Sequence, residues 1–427
     1  MRRKNARAVS LMGALIVAPL VLGITAPASA ASTADGLWYF DAFNIQKAHD
    51  AGLTGEGVTI AVFDSQVNLD VPTLQGADVE VNESSCYDDN GELIEPTTTA
   101  MSAQHGTNVL SYLVGSGEGY DGQAGIKGIV PDARIIYTVV GEAGEAGGAS
   151  ISMTCNAEDP NESNSAFADG VFAALDEGVD IITMSVSMNT TEDSEIALAT
   201  ALHEGVLIIA SVSNDSLNDP NRGGFPSLSN GVVGVQSIDS SGRVQGDHID
   251  PSTDVVGPGV DVLWQGDGSW EKQKLSTGTS IATPIVAGFA ALAVQKFPDA
   301  TGNQILQSLI RNTDAEDHPL NYDPDYAFGY GFASATHMLK VDPTKYDDVN
   351  LLVDDDPSSD PNQEMIADPP ERVTDAWDEN QSVETGAFEI LILPLLLGLV
   401  GVLGVAAVIA LVVVLIVRLR RRKKTTL

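Results

Sequence analysis

An α/β fold with a mostly parallel sheet is predicted by three features of the sequence. Short apolar runs rich in β-branched residues recur along the chain, segments of helical periodicity lie between them, and the two alternate at the spacing of strand–helix–strand units. An uninterrupted apolar run suits a strand buried on both faces of a parallel sheet, whereas a half-exposed strand alternates.

Taken in order, the chain opens with Arg2, Arg3, Lys4 and Arg7, an apolar stretch from Val9 to Ile24, and the small residues Ala28-Ser29-Ala30. This pattern reads as a secretory signal peptide over 1–30, with an uncleaved anchor as the alternative. An N-terminal arm over 31–56 ends in the turn Thr54-Gly55-Glu56-Gly57. The main domain, 57–341, follows. Its strands are predicted at Val58–Phe63, Ala133–Val140, Val179–Val186, Val206–Val212 and Val232–Val235. Its helices are predicted at Ser165–Glu177, Thr191–His203 and Ser280–Phe297, the last apolar enough to be buried. From 342 to 388 the chain is rich in Asp, Glu, Pro, Ser and Asn and poor in apolar residues, which predicts a disordered acidic spacer. Ile390 to Val417 is 28 residues without a charge, long enough at about 1.5 Å per residue to cross a hydrocarbon core of about 30 Å. A C-terminal transmembrane helix is therefore predicted over 389–417. The run of Arg and Lys after it, in 418–427, reads as a basic cytoplasmic tail that leaves the main domain outside. The expected location is the cell membrane, spanned once.

The 22 basic and 59 acidic residues give a net charge of −37. A nucleic-acid partner is excluded on that balance, since phosphate binding needs clustered cations. Cys86 and Cys155 are the only cysteines. In an oxidising compartment a single disulfide is expected, with a free thiol as the alternative. The turn Asp88-Asp89-Asn90-Gly91 would admit structural calcium, but no Glu completes an EF-hand loop, so no metal site is assigned and no cofactor is required.

Four segments carry chemistry. AVFDSQVN puts Asp64 at the end of a buried strand; QHGTNV puts His105 at the start of a helix; IIASVSND puts Asn214 at the end of another strand; STGTSIATPIVAG puts Ser280 at the opening of the long helix. A serine hydroxyl is a weak nucleophile without a base in reach, and His105 can take its proton. A carboxylate such as Asp64 would hold the imidazole tautomer and stabilise its charged form. The amide of Asn214 and the backbone N–H of Ser280 can donate to a developing oxyanion, and a helix N-terminus favours negative charge there.

These segments resemble those of the subtilisin-like serine proteases, in the chain order Asp, His, Ser. GTSIATPIVAG is close to that family's serine signature and HGT to its histidine signature. DIITMSVS resembles its substrate-pairing strand, with Ser185 and Val186 at the centre, and FPSLSNGVVGVQSID, GPGVDVLW and FGYGFASATHML resemble later segments. The likeness runs from about residue 50 to 340. It implies a three-layer α/β/α domain and an endopeptidase acting on a protein or peptide through an acyl-enzyme. The implied roles are Asp64 as orienting acid, His105 as base, Ser280 as nucleophile and Asn214 as oxyanion donor. The short arm, the cysteine pair, the acidic spacer and the anchor are similar in layout to the mycosins, subtilases associated with type VII secretion in actinobacteria. That layout implies the secretion machinery as a partner.

Four positions depart from the family's usual glycine: Gln66, Ser111, Ser187 and Ser213. Ser187 and Ser213 line the first specificity pocket in the family. A narrower, more polar pocket and restricted specificity are expected, with a catalytically weak structural subunit as the alternative. Trp38, Trp264, Trp270 and Trp377 show no ligand-cage pattern, and packing is expected for them.

Overall fold

The computed structural model describes residues 35–88, 90–143, 153–155, 166–214, 224–247, 250–323 and 327–372. Along the chain the strands are β1 (Thr59–Asp64), β2 (Val79–Val81), β3 (Ser116–Glu118), β4 (Ala124–Lys127), β5 (Arg134–Val139), β6 (Glu142–Ala143), β7 (Met153–Thr154), β8 (Ile181–Met184), β9 (Leu207–Ser211), β10 (Val233–Ile238), β11 (Val255–Pro258), β12 (Val262–Gln265) and β13 (Gln273–Ser276). The helices are α1 (Trp38–Ala42), α2 (Ile45–Asp50), α3 (Gln104–Val114), α4 (Ala166–Asp176), α5 (Glu192–His203), α6 (Thr279–Lys296), α7 (Gly302–Arg311), α8 (Ala335–Met338) and α9 (Gln363–Ala367).

The apolar runs form a seven-stranded sheet in the order β11-β10-β9-β8-β1-β5-β2, with every neighbouring pair parallel. Strands β8, β9 and β10 are buried along their whole length. Their runs lack alternation because both faces are covered. On one face Ile60, Val62, Ile181, Ile209 and Val235 meet α3, α6 and α7; on the other Phe63, Ile182 and Ala210 meet α4 and α5. The result is the three-layer α/β/α arrangement expected. From β1 the chain crosses to the edge strand β2 and returns inward to β5, then passes to the other side of β1 at β8 and moves outward through β9, β10 and β11. The order therefore reverses between β1 and β8, and a crevice outside their C-terminal ends is where an α/β sheet places its ligand.

Sequence signals start two of the longer helices. Thr191 and Ser194 form a reciprocal capping box that starts α5, and Thr301 and Gln304 do the same for α7. The arm folds into α1 and α2, burying Trp38, Tyr39, Phe40 and Ile45. Full burial of each such side chain is worth about 1.5–3 kcal/mol before entropy costs. Trp38 Nε1 donates to Val260 O at 3.1 Å, Tyr39 donates to Lys127 O at 2.6 Å, and Phe43 packs on Phe289 of α6.

The acidic spacer expected from 342 does not begin there. Residues 342–370 lie against the domain beneath the N-terminal edge of the sheet. Gln304 and Gln307 of α7 donate to carbonyls of Tyr346, Asp347 and Val349. Asn230, just before β10, exchanges three bonds with Asp354, Asp360 and Pro361. His203, at the end of α5, meets Ile366 O of α9. The composition is that of a spacer, but the domain supplies polar partners where an isolated chain would have only water. The predicted signal peptide, transmembrane helix and basic tail lie outside the described residues. Among the described residues no helix is long and apolar enough to cross a membrane.

Cys86 and Cys155 form the expected disulfide, with Cα atoms 5.0 Å apart. Asp88, in the acidic turn, accepts the backbone N–H of Asn90 and of Glu92 at 2.8 and 2.9 Å. Those bonds hold its carboxyl below the ordinary carboxylate value.

Candidate active site

Asp64 ends β1, His105 lies in the first turn of α3, Asn214 follows β9 and Ser280 lies in the first turn of α6. Ser185, Val186 and Ser187 continue the chain beyond β8. All seven, with Ser213, sit at the C-terminal edge of the sheet around the β1/β8 reversal.

His105 and Asp64 are joined through Nδ1 and Oδ1 at 2.6 Å, with 5% and 0% of their side chains exposed. The same carboxylate oxygen accepts the Ser65 N–H at 2.7 Å and the Ser65 hydroxyl at 3.1 Å. Ser65 Oγ in turn accepts the Gly106 N–H at 3.1 Å, so the strand end and the helix start are cross-linked through one side chain. Tyr137 of β5 donates to Ser65 O at 2.6 Å from beneath. Burial, and secondarily the Asp64 charge, push the Tyr137 hydroxyl well above its ordinary pKa, so it remains a donor. This packing explains the glycine after His105. A Cβ at Gly106 would lie 2.7 Å from the carbonyl oxygens of both Ser65 and Gln66 and would collide with the Tyr137 hydroxyl. His105 Nε2 is buried and has no hydrogen-bond partner among the described residues. Ser280 does not bond that nitrogen in this conformation; such bonds often tighten only with substrate.

Helix α6 contains Pro284, which has no N–H to give the carbonyl four residues back. That carbonyl belongs to Ser280. Ser185 donates its hydroxyl to it instead, at 3.1 Å, tying the end of β8 to the backbone of Ser280. Asn214 Oδ1 accepts the Thr279 N–H at 3.1 Å. This fixes the side-chain amide so that its NH₂ group remains for another acceptor. A Cβ built on Gly278 would lie 3.6 Å from Ser280 Oγ, 3.8 Å from Asn214 Oδ1 and 3.9 Å from Asn214 Nδ2. The hydroxyl and the amide therefore converge on one spot. The Ser280 N–H is in the first turn of α6, where amides lack an intrahelical acceptor. The Asn214 NH₂, the Ser280 N–H and the Ser280 hydroxyl thus lie together at the start of α6, where the helix dipole favours negative charge.

This geometry agrees with the comparisons. The Subtilase family model matches residues 55–331, more than half of the chain. The chain belongs to the subtilase family. The thermostable alkaline protease of Halalkalibacterium halodurans is 28% identical over 276 residues, covering 64% of this chain and 66% of that protein. Subtilisin Savinase of Lederbergia lenta is 29% identical over 280 residues, 65% of this chain and 90% of that one. The minor extracellular protease Epr of Bacillus subtilis is 29% identical over 64% of this chain but only 38% of its own length. Among solved structures, the prenylagaramide maturation protease PagA has a TM-score of 0.53 at 20% identity, covering 69% of this chain and 97% of that one. Fervidolysin from Fervidobacterium pennivorans has a TM-score of 0.54 at 22% identity, covering 73% and 47%. These structural likenesses establish the subtilase fold.

The non-glycine positions of this subtilase are absorbed in different ways. Gln66 is buried, donating to Glu95 O at 2.7 Å and accepting from Ser102 at 2.8 Å. Ser111 is fully buried and donates to Thr107 O at 2.6 Å. Ser213 is buried, while Ser187 is half-buried beyond the end of β8. Trp264 was expected only to pack. It packs on the site: its ring centroid lies 6.0 Å from that of His105. No spacing in the sequence ties β12 to α3, so nothing there could have signalled it.

Proposed function

We propose that this subtilase is an endopeptidase that cleaves peptide bonds through Asp64, His105 and Ser280. The observation that carries the reading is the buried His105–Asp64 bond at 2.6 Å, with the outer imidazole nitrogen without a partner among the described residues. His105 Nε2 takes the Ser280 proton as Oγ bonds to the substrate carbonyl carbon. The carbonyl oxygen becomes an oxyanion, held by the Asn214 amide and the Ser280 N–H. His105 then returns the proton to the departing amine, leaving an acyl-enzyme that water hydrolyses by the same steps in reverse. The backbone of Ser185-Val186-Ser187, past the end of β8, is the strand for substrate to pair with.

The finer reading is a protease of restricted specificity, tethered to the cell membrane by the apolar run 389–417, with its domain outside and a mycosin-like link to secretion. The supports are the serines at 187 and 213 and the layout of the two chain ends. A structural subunit is the second reading, favoured by the missing Ser280–His105 bond. Incubation of full-length protein with a peptide library tests the matter. Cleavage confined to few sequences and lost in Ser280→Ala is expected. No Ser280-dependent cleavage of any peptide would overturn it.

A further inference from the structure

Helix α3 presents Gln104, Asn108 and Tyr112 at four-residue spacing, so all three lie in one row along its surface. That row reads the backbone of β12. Asn108 Nδ2 donates to Gln265 O at 2.9 Å, and Asn108 Oδ1 accepts the Gln265 N–H at 2.7 Å. Tyr112 donates to Leu263 O at 2.6 Å, and Gln104 Nε2 donates to Gln265 O at 3.3 Å and to Gly266 O. All three side chains are buried, so each bond is made where water does not compete. Between the anchored residues Leu263 and Gln265 stands Trp264, 7% exposed, its ring tilted 55° to that of His105. The arm adds to the hold on the same strand, since Gly36 O accepts the Leu263 N–H at 2.9 Å.

His105 needs such a neighbour. Among the described residues its ring makes one hydrogen bond, to Asp64, and its other nitrogen has no partner. A single bond does not fix the tilt of a ring about the bond axis; packing must do so. We propose that Trp264 is a positioning residue for His105, a flat wall that holds the imidazole in the orientation where Nδ1 meets Asp64 and Nε2 stays available to Ser280. The Gln104–Asn108–Tyr112 row sets the depth of that wall against the helix that carries His105. The kinetic consequence rests on the protease reading; the geometric one does not.

The test uses the full-length protein and two readouts. The downfield proton resonance of His105 Nδ1–H, identified by its loss in His105→Ala, reports the orientation directly. Peptide cleavage reports its effect. In Trp264→Leu the resonance should broaden away while circular dichroism shows a folded chain. The kcat should fall about 10- to 100-fold, as for small misplacements of reacting groups, with KM within about threefold. Trp264→Phe, which restores a flat ring, should recover the resonance and most of the rate. A folded Trp264→Leu with resonance and kcat like the parent protein would overturn the proposal. Should Trp264→Leu fail to fold, Asn108→Ala is read in its place. There a broadened resonance supports the proposal and an unchanged one overturns it. A parent protein that shows the resonance but no Ser280-dependent cleavage would sink the protease reading alone, because the resonance still decides the role of Trp264.

Discussion

At the C-terminal edge of the sheet the bonds each require a particular side chain of the site: the Asp64 carboxylate with the His105 imidazole, the Asn214 amide oxygen with the Thr279 N–H, and the Ser185 hydroxyl with the Ser280 carbonyl. At the N-terminal edge, residues 342–370 are held mainly by side-chain amides bonding to backbone carbonyls and N–H groups. The first edge depends on which side chains the chain brings there. The second depends on its backbone, which nearly any sequence could offer. The two edges should therefore respond differently to substitution: the first in rate, the second in stability.

The largest departure between them is expected from Asp64→Asn. It should lower kcat about 10⁴-fold, because the amide favours the wrong imidazole tautomer, while the melting temperature changes little. A loss below tenfold would break the assignment of the first edge. Next, Asn214→Ala should cost about 10²–10³ in kcat through the lost oxyanion donor, with KM nearly constant. Steady-state kinetics on one cleaved peptide checks both. On the other edge, Asn230→Ala removes the side-chain partners of Asp354 N–H and Pro361 O. It should lower the unfolding free energy by about 1–3 kcal/mol, leaving kcat unchanged. Denaturant melts that show no loss would mean that the segment is laid on the domain without stabilising it.

A last effect, absent from the rate altogether, concerns pH. Asp254, just before β11, accepts the Gly234 N–H at 2.8 Å, and burial pushes its carboxyl up to about 7 against that bond. A pKa raised in the folded state means that the folded chain holds the proton more tightly than the unfolded one. Stability is then greatest below the ordinary carboxylate range and falls as pH rises toward about 7. Asp254→Asn should flatten that slope in melts taken across this range and leave the rate alone. A slope that survives the substitution would assign it to other groups.

Much of the first edge was legible in the sequence, and for a physical reason. Strands buried on both faces must be apolar throughout, so Val58–Phe63 and Val206–Val212 marked β1 and β9 within a residue or two. The four segments that resemble subtilase motifs picked out Asp64, His105, Asn214 and Ser280, and the structure gathers all four at this edge. The supports could not. Ser185 matters because Pro284 frees the Ser280 carbonyl, and Trp264 matters because β12 lies on α3; both depend on tertiary contacts far apart in the chain. The segment after 342 was misread because low apolar content argues against independent folding, and it says nothing of a chain that borrows hydrogen bonds from Asn230, Gln304 and Gln307.

The central claim is that Ser280 is an activated nucleophile, and labelling with a fluorophosphonate probe tests it most directly. The full-length protein, treated with the probe and mapped by mass spectrometry, should carry one adduct on Ser280, and the adduct should be absent in Ser280→Ala and strongly reduced in His105→Ala. A folded protein that carries no adduct, or carries it equally without His105, would contradict the account.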